Sequence, residues 1–190
     1  VEALGGYADS RPDEIHFFYE TAARSLIMDE AGRVVGIEAI GDGNVPLRIM
    51  GANVILASGG FQGNPEMLSH YIGPQSQFIR PVSRGGHYNR GEGVRMALSA
   101  GAAPCGDFGS FHAQPVDPRS TDMEPVVLNY NLGVLINDSG KRFTDEGPDM
   151  VDATYEVVTR LIMDERHGVA YAVFDASLDE VENWAVTVRS

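Results

Sequence analysis

The stretch Asn53–Asn64, NVILASGGFQGN, decides the reading of this chain. Its first half is a short apolar run with β-branched Val54 and Ile55, the pattern of a parallel strand buried on both faces, and it runs straight into Gly59 and Gly60. Paired glycines there let the main chain approach a ligand closely or take φ > 0. In open α/β sheets ligands sit at the carboxyl ends of strands. An ordinary strand–loop–helix corner has the same local sequence, so the flanking segments must decide between the two.

Upstream, Gly5–Glu14 reads as a loop leading into a strand at Glu14–Thr21, EIHFFYET, on its aromatic and β-branched content. AARSLIMDE and GRVVGIEAI then form a hairpin across Asp29–Gly32, GDGN at Gly41–Asn44 is a second turn, and VPLRIM returns the chain to the central run. Downstream, Asn64 is an N-cap with Pro65 at the first helical position and Glu66 in the first turn, which predicts a short helix to Tyr71. Gly73–Gly91, rich in Gly, Pro, Ser and Arg, reads as an ordered functional loop. Gly91–Ala102 predicts a helix with glycines at its start, where unpaired N–H groups can face a phosphate or simply cap a surface helix.

Phe108–Pro118 is turn-rich and reads as a crossover into a second lobe. There LGVLIN is a strand, Asp138–Gly140 a turn, and VAYAVFD a further strand, with ASLDEVENW starting a helix. Between the two strands, Tyr155, Val158, Leu161 and Ile162 give ATYEVVTRLIMDER the period of an amphipathic helix.

The composition, 43% hydrophobic and 22% charged over 190 residues, is that of a folded chain with one good core or two small ones. A formal charge of −13 argues against a nucleic-acid or anionic-membrane surface, so an anionic ligand must be held by local arginines. The single cysteine, Cys105, excludes an intrachain disulfide and a cysteine-based zinc cluster, and it suits a reducing cytoplasm. No apolar run is long enough for a transmembrane helix.

Four separated stretches, GRVVGIEA, ANVILASGGFQGNPEM, YNRGEGVRMALSAGA and GVLINDSGKRFTDEG, together resemble one flavoprotein family. It is the family of fumarate reductase and succinate dehydrogenase flavin subunits, 3-ketosteroid dehydrogenases and tricarballylate dehydrogenases. The continuation GKRFTDEGPDM, then TYE and VAYAVFD, is most similar to the tricarballylate dehydrogenase branch. The resemblance implies an α/β plus α+β architecture: part of a Rossmann-like FAD-binding domain over residues 1–111 and part of a cap or substrate domain over 112–190. It implies FAD as cofactor, a small-molecule carboxylate as substrate, and oxidation of a CH–CH bond beside that carboxylate; it names no electron acceptor. A 3-ketosteroid-type dehydrogenase, a fumarate reductase-like enzyme and a non-catalytic interaction module are the alternatives. The G-x-G-x-x-G fingerprint and the family's His- and Gly-rich closing segment are absent, so the chain is read as an internal piece that by itself binds FAD weakly.

Carried over position by position, the resemblance implies that Ala23 presents backbone to the adenine side of FAD, that Ala57, Ser58 and Gly59 line the cofactor, and that Glu92 stands where the family has Asp. Gln114 replaces a substrate-binding His. Met150 occupies the place of the proton-donating Arg, a role that Arg142 takes if the match slips by a few residues. The Glu and Arg of the family's set fall near Val126 and Asn129. Among the residues themselves, Arg84 and Arg90 are candidates for a carboxylate clamp, because the guanidinium fork binds bidentately, and His112 and Tyr155 for proton transfer.

Overall fold

The computed structural model describes residues 2–81, 83–120 and 126–182. The chain divides into two compact units, Val1–Ser58 with Glu92–Pro104, and Gly59–Gly91 with Cys105–Ser190.

The first unit is built on a three-stranded antiparallel sheet of β1 (Ala22–Met28), β2 (Val34–Ile40) and β3 (Pro46–Met50) in sequence order. The first hairpin is tied by Asp29, whose Oδ1 accepts from the N–H groups of Ala31 and Arg33 while Oδ2 pairs with the Arg33 guanidinium at 2.7 Å. That aspartate is what the DEAG signal encodes. Ile27 and Ala39 are buried in this sheet. A helix, Glu92–Ser99, packs against β1 and buries Met96. At the start of the chain Glu2–Asp9 is a helix, which takes the first half of the loop expected over Gly5–Glu14, with Arg11 stacked on the Tyr7 ring; its own i to i+4 bonds hold it, since it buries no residue.

Two further sequence expectations fail in this unit. Glu14–Thr21 forms no strand; Phe17, Phe18 and Tyr19 are consecutive and all exposed, so they lack the alternation a half-buried strand requires. More consequentially, Asn53–Ala57 pairs with no strand among the described residues, and Ile55 is 89% exposed. A strand buried on both faces owes its stability to flanking strands and helices, and among the described residues no strand flanks this one.

The second unit begins at the glycine corner. Asn64 caps the helix Pro65–Tyr71 by accepting from the N–H groups of Glu66 and Met67 at 3.1 and 3.2 Å, and its amide donates to the Arg90 carbonyl at 2.8 Å. Two backbone bonds run beside it, Gly63 N–H to the Asn89 carbonyl and Gly91 N–H to the Gly60 carbonyl, at 2.8 and 3.1 Å. A Cβ on Gly63 would stand 2.4 Å from the His87 carbonyl oxygen, so only glycine permits this approach. The intervening loop is ordered, as expected, into 3₁₀ turns at Pro74–Phe78 and Arg84–Tyr88.

Further along, β4 (Val134–Ile136) and β5 (Tyr171–Val173) form an antiparallel pair. The long helix Val151–Asp164 covers them, with Tyr130, Leu135 and Val158 at the centre of the core and Tyr155 and Ile162 packed around it. Burying a side chain of Val158's kind contributes about 1.5–3 kcal/mol. Leu161 lies outside this face and is exposed, and Ala176–Glu180 is a 3₁₀ turn in place of the expected helix.

Glu146 anchors β4. It is buried, and its Oε1 accepts the Leu135 N–H at 2.6 Å while its Oε2 takes Arg142 Nη2 and Nε at 2.6 and 3.0 Å. Burial alone would push this carboxyl up; the Arg142 and Leu135 hydrogen bonds outweigh it and hold the group below the ordinary glutamate range.

Replacing Asn64 with Ala removes the cap and the crossing bond together and should destabilise the second unit by about 2 kcal/mol; an unchanged urea midpoint would contradict this. Because the folded pKa of Glu146 is depressed, its contribution is present above the unfolded value of about 4.5 and is lost as pH falls below it. Glu146→Gln should therefore flatten the acid limb of a stability-versus-pH curve, and an acid limb identical to that of the wild type would count against the assignment.

Candidate flavin and proton-transfer sites

In the first unit a cleft of about 260 Å³ opens between β1 and the helix Glu92–Ser99. Ala23, Ser25 and Leu26 form one side of it, and Glu92, Arg95 and Met96 the other. Two residues placed by the resemblance, Ala23 and Glu92, thus share one cavity although 69 positions of sequence separate them. Ser58 of the central run is outside this lining but meets the same helix: a Cβ on Gly93 would fall 2.2 Å from its hydroxyl oxygen, so the glycine at the helix start lets the two segments meet. Ala57 and Gly59 are exposed, and Gly59 takes φ 75°, the left-handed conformation that the paired glycines anticipate.

These groups fit a part of FAD. The cleft is smaller than the ~300–1,000 Å³ that encloses a drug-sized ligand, so it accommodates one ring system of the dinucleotide and not the whole. The small side chain of Ala23 leaves backbone accessible, which suits a flat ring edge. Arg24 and Arg95 also line the cleft and were missed from sequence. The available signal for Arg95 was its place one turn after Glu92 on a predicted helix.

In the second unit the two proton-transfer candidates meet. Tyr155 Oη lies 2.9 Å from His112 Nε2, with the rings edge-to-face at 5.3 Å. The contact is exposed to solvent. The carboxylate candidates are not gathered around it. Arg84 opens an exposed 3₁₀ turn and makes no ion pair among the described residues, Arg90 presents its carbonyl to Asn64, and Gln114 is half-buried. Met150 is exposed at the N-cap of the long helix and offers no exchangeable proton. Arg142, the other position for a cationic acid, is held by Glu146, which pushes the guanidinium pKa up; a group so paired is a poor proton donor. Asn129 is buried, and neither atom of its amide has a hydrogen-bond partner among the described residues. Among the described residues no group of His, Cys, Asp and Glu is placed to hold a metal ion, and no helix is long and apolar enough to cross a membrane.

Comparison with known proteins identifies the family. The NADH:acrylate oxidoreductase of Vibrio harveyi is 32% identical over 131 residues, 67% of this chain and 13% of that protein. The vinyl phenol reductase of Lactiplantibacillus plantarum is 34% identical over 104 residues, 50% of this chain and 20% of that protein. In fold, the open conformation of a flavocytochrome c3 fumarate reductase superposes with a TM-score of 0.70 at 20% identity, over 94% of this chain and 30% of that one. The chain therefore spans less than a third of the length of each of these proteins. A family described as FAD binding domain matches residues 1–181, and the chain belongs to that family, whose cofactor is FAD.

Proposed function

We propose that the full-length protein is an FAD-dependent dehydrogenase that oxidises a CH–CH bond beside a carboxylate in a tricarballylate-like substrate. The observation that carries this reading is the His112–Tyr155 contact, a ready path for the proton that such a bond must lose. FAD, when bound, supplies the two-electron acceptor for the accompanying hydride. Ala23 offers backbone to its adenine side, Ala57, Ser58 and Gly59 line it, and Glu92 contributes a carboxylate contact. Arg84 and Arg90 clamp substrate carboxylates and Gln114 adds a neutral amide. Residues 1–111 belong to the flavin domain in this reading and 112–190 to the cap. The rest of the flavin domain then supplies the neighbours that Val54–Ala57 lacks.

A second reading reverses the direction: the Lactiplantibacillus relative is named a vinyl phenol reductase, and the Vibrio relative an oxidoreductase of NADH and acrylate. Met150 weighs against an efficient fumarate-type reduction, since it can neither carry charge nor deliver a proton where the resemblance puts an arginine.

The test is a pair of assays on the full-length protein. One measures oxidation of a panel of tri- and dicarboxylates with an artificial acceptor, and the other fumarate reduction with a reduced viologen dye. Losing a placed general acid costs ~10²–10⁴ in rate, so the best oxidation should exceed fumarate reduction by at least about 10²-fold. Comparable turnover in the two directions would overturn the proposal.

A further inference from the structure

The helix Val151–Asp164 sets two more charged side chains beside the His112–Tyr155 contact. Glu156 Oε2 lies 3.5 Å from His112 Nδ1, and Glu156 Oε1 accepts from Arg160 Nη2 at 3.0 Å. Arg160 is itself fixed twice over, donating to the Phe111 carbonyl at 2.6 Å and stacking 4.5 Å from the Phe111 ring centre. The four side chains thus form one line, Tyr155, His112, Glu156 and Arg160, whose far end is tied to the residue next to the histidine.

We propose that Glu156 and Arg160 are positioning residues that hold His112 as its Nδ1–H tautomer, leaving Nε2 to accept the Tyr155 phenol proton. The proposal rests on the reading of His112 and Tyr155 as the proton-transfer pair. A neutral imidazole carries one N–H, and which nitrogen bears it is set by the partner of the other. A carboxylate can only accept, so Glu156 draws the N–H to Nδ1 and turns the Nε2 lone pair toward Tyr155. Arg160 keeps Glu156 ionised, its hydrogen bond being the main reason the carboxyl titrates below the ordinary range. Tyr155, Glu156 and Arg160 are the titratable groups that face this imidazole and its carboxylate among the described residues.

The resulting step balances with the FAD of the proposed function as the two-electron acceptor: the electron pair of the broken C–H bond would form the new C=C bond as the hydride leaves the neighbouring carbon for the flavin. As the phenol takes a proton from substrate carbon on Oη, its own proton passes to His112 Nε2. Tyr155 ends as a phenol, His112 as an imidazolium, and Glu156 remains a carboxylate that stabilises it. An exposed ion pair contributes little to stability, so orientation is the property such a line can supply.

The experiment is long-range proton–nitrogen NMR of full-length protein labelled with ¹⁵N in its imidazole rings, at about pH 8, above the ordinary histidine range. His112, assigned by its loss in His112→Gln, should show a protonated Nδ1 and a bare Nε2. Glu156→Ala should move it to the Nε2–H form, Glu156→Asp should restore the wild-type form in part, and kcat in Glu156→Ala should fall about tenfold or more at unchanged KM. Should Glu156→Ala fail to fold by circular dichroism, Arg160→Met, which keeps an apolar stem over Phe111, should give a mixture of the two tautomers. An Nε2–H tautomer in the wild type, the wild-type tautomer in the folded variants, or an unaltered kcat would each overturn the proposal. The tautomer is read without turnover. The predicted shift in a protein that shows no flavin-dependent oxidation would therefore support the positioning while overturning the dehydrogenase reading.

Discussion

Three hydrogen bonds between the glycine corner and residues 89–91 are the constraint on which the second unit depends. They require backbone to approach backbone at Gly63, where any Cβ would collide with the His87 carbonyl. They also require a side chain at position 64 that both accepts and donates, since Asn64 caps one helix with its oxygen and grips the Arg90 carbonyl with its nitrogen. An aspartate would cap as well but has no donor for the second contact. A loop of 3₁₀ turns that would otherwise cost its ordering entropy is thereby closed at both ends.

In the other unit the same economy of side chains serves a different end. Ala23 and Ser25 are small on the β1 side of the cleft, and Gly93, buried at the start of the helix Glu92–Ser99, lets that helix meet Ser58 of the central run. A side chain at position 93 would collide with the Ser58 hydroxyl and push the two segments apart. Glu92 and Arg95 provide polar groups to the cleft from successive turns of one helix. In the proposed reading it is one part of a flavin site, with few contacts to set against the several kcal/mol that association costs in lost freedom.

How much of this was legible in the sequence follows from how local each cause is. The Asn64 cap, the Asp29 turn and the period of Val151–Asp164 were readable because the atoms that stabilise them lie within four residues of one another. Asn53–Ala57 was readable as a doubly buried strand in kind but not in outcome, because the stability of such a strand is tertiary and no strand pairs with it among the described residues. The aromatic run Phe17–Tyr19 misled for the complementary reason: composition suggested a strand and the missing alternation was discounted. Of the site, His112 and Tyr155 were each visible as residue types, while their meeting across 43 positions was not. Glu156 and Arg160 carried a signal that went unused, an i, i+4 acid–base pair beginning beside Tyr155.

In the proposed reading this chain forms one wall of an FAD site completed by the remainder of the full-length protein. Titrating FAD into the full-length protein and into this 190-residue chain side by side, with bound flavin read from its visible spectrum, tests it most directly. The account predicts stoichiometric flavin on the full-length protein and only weak binding to the chain alone. A full-length protein that stays colourless after reconstitution, or stoichiometric flavin on the chain by itself, would contradict it.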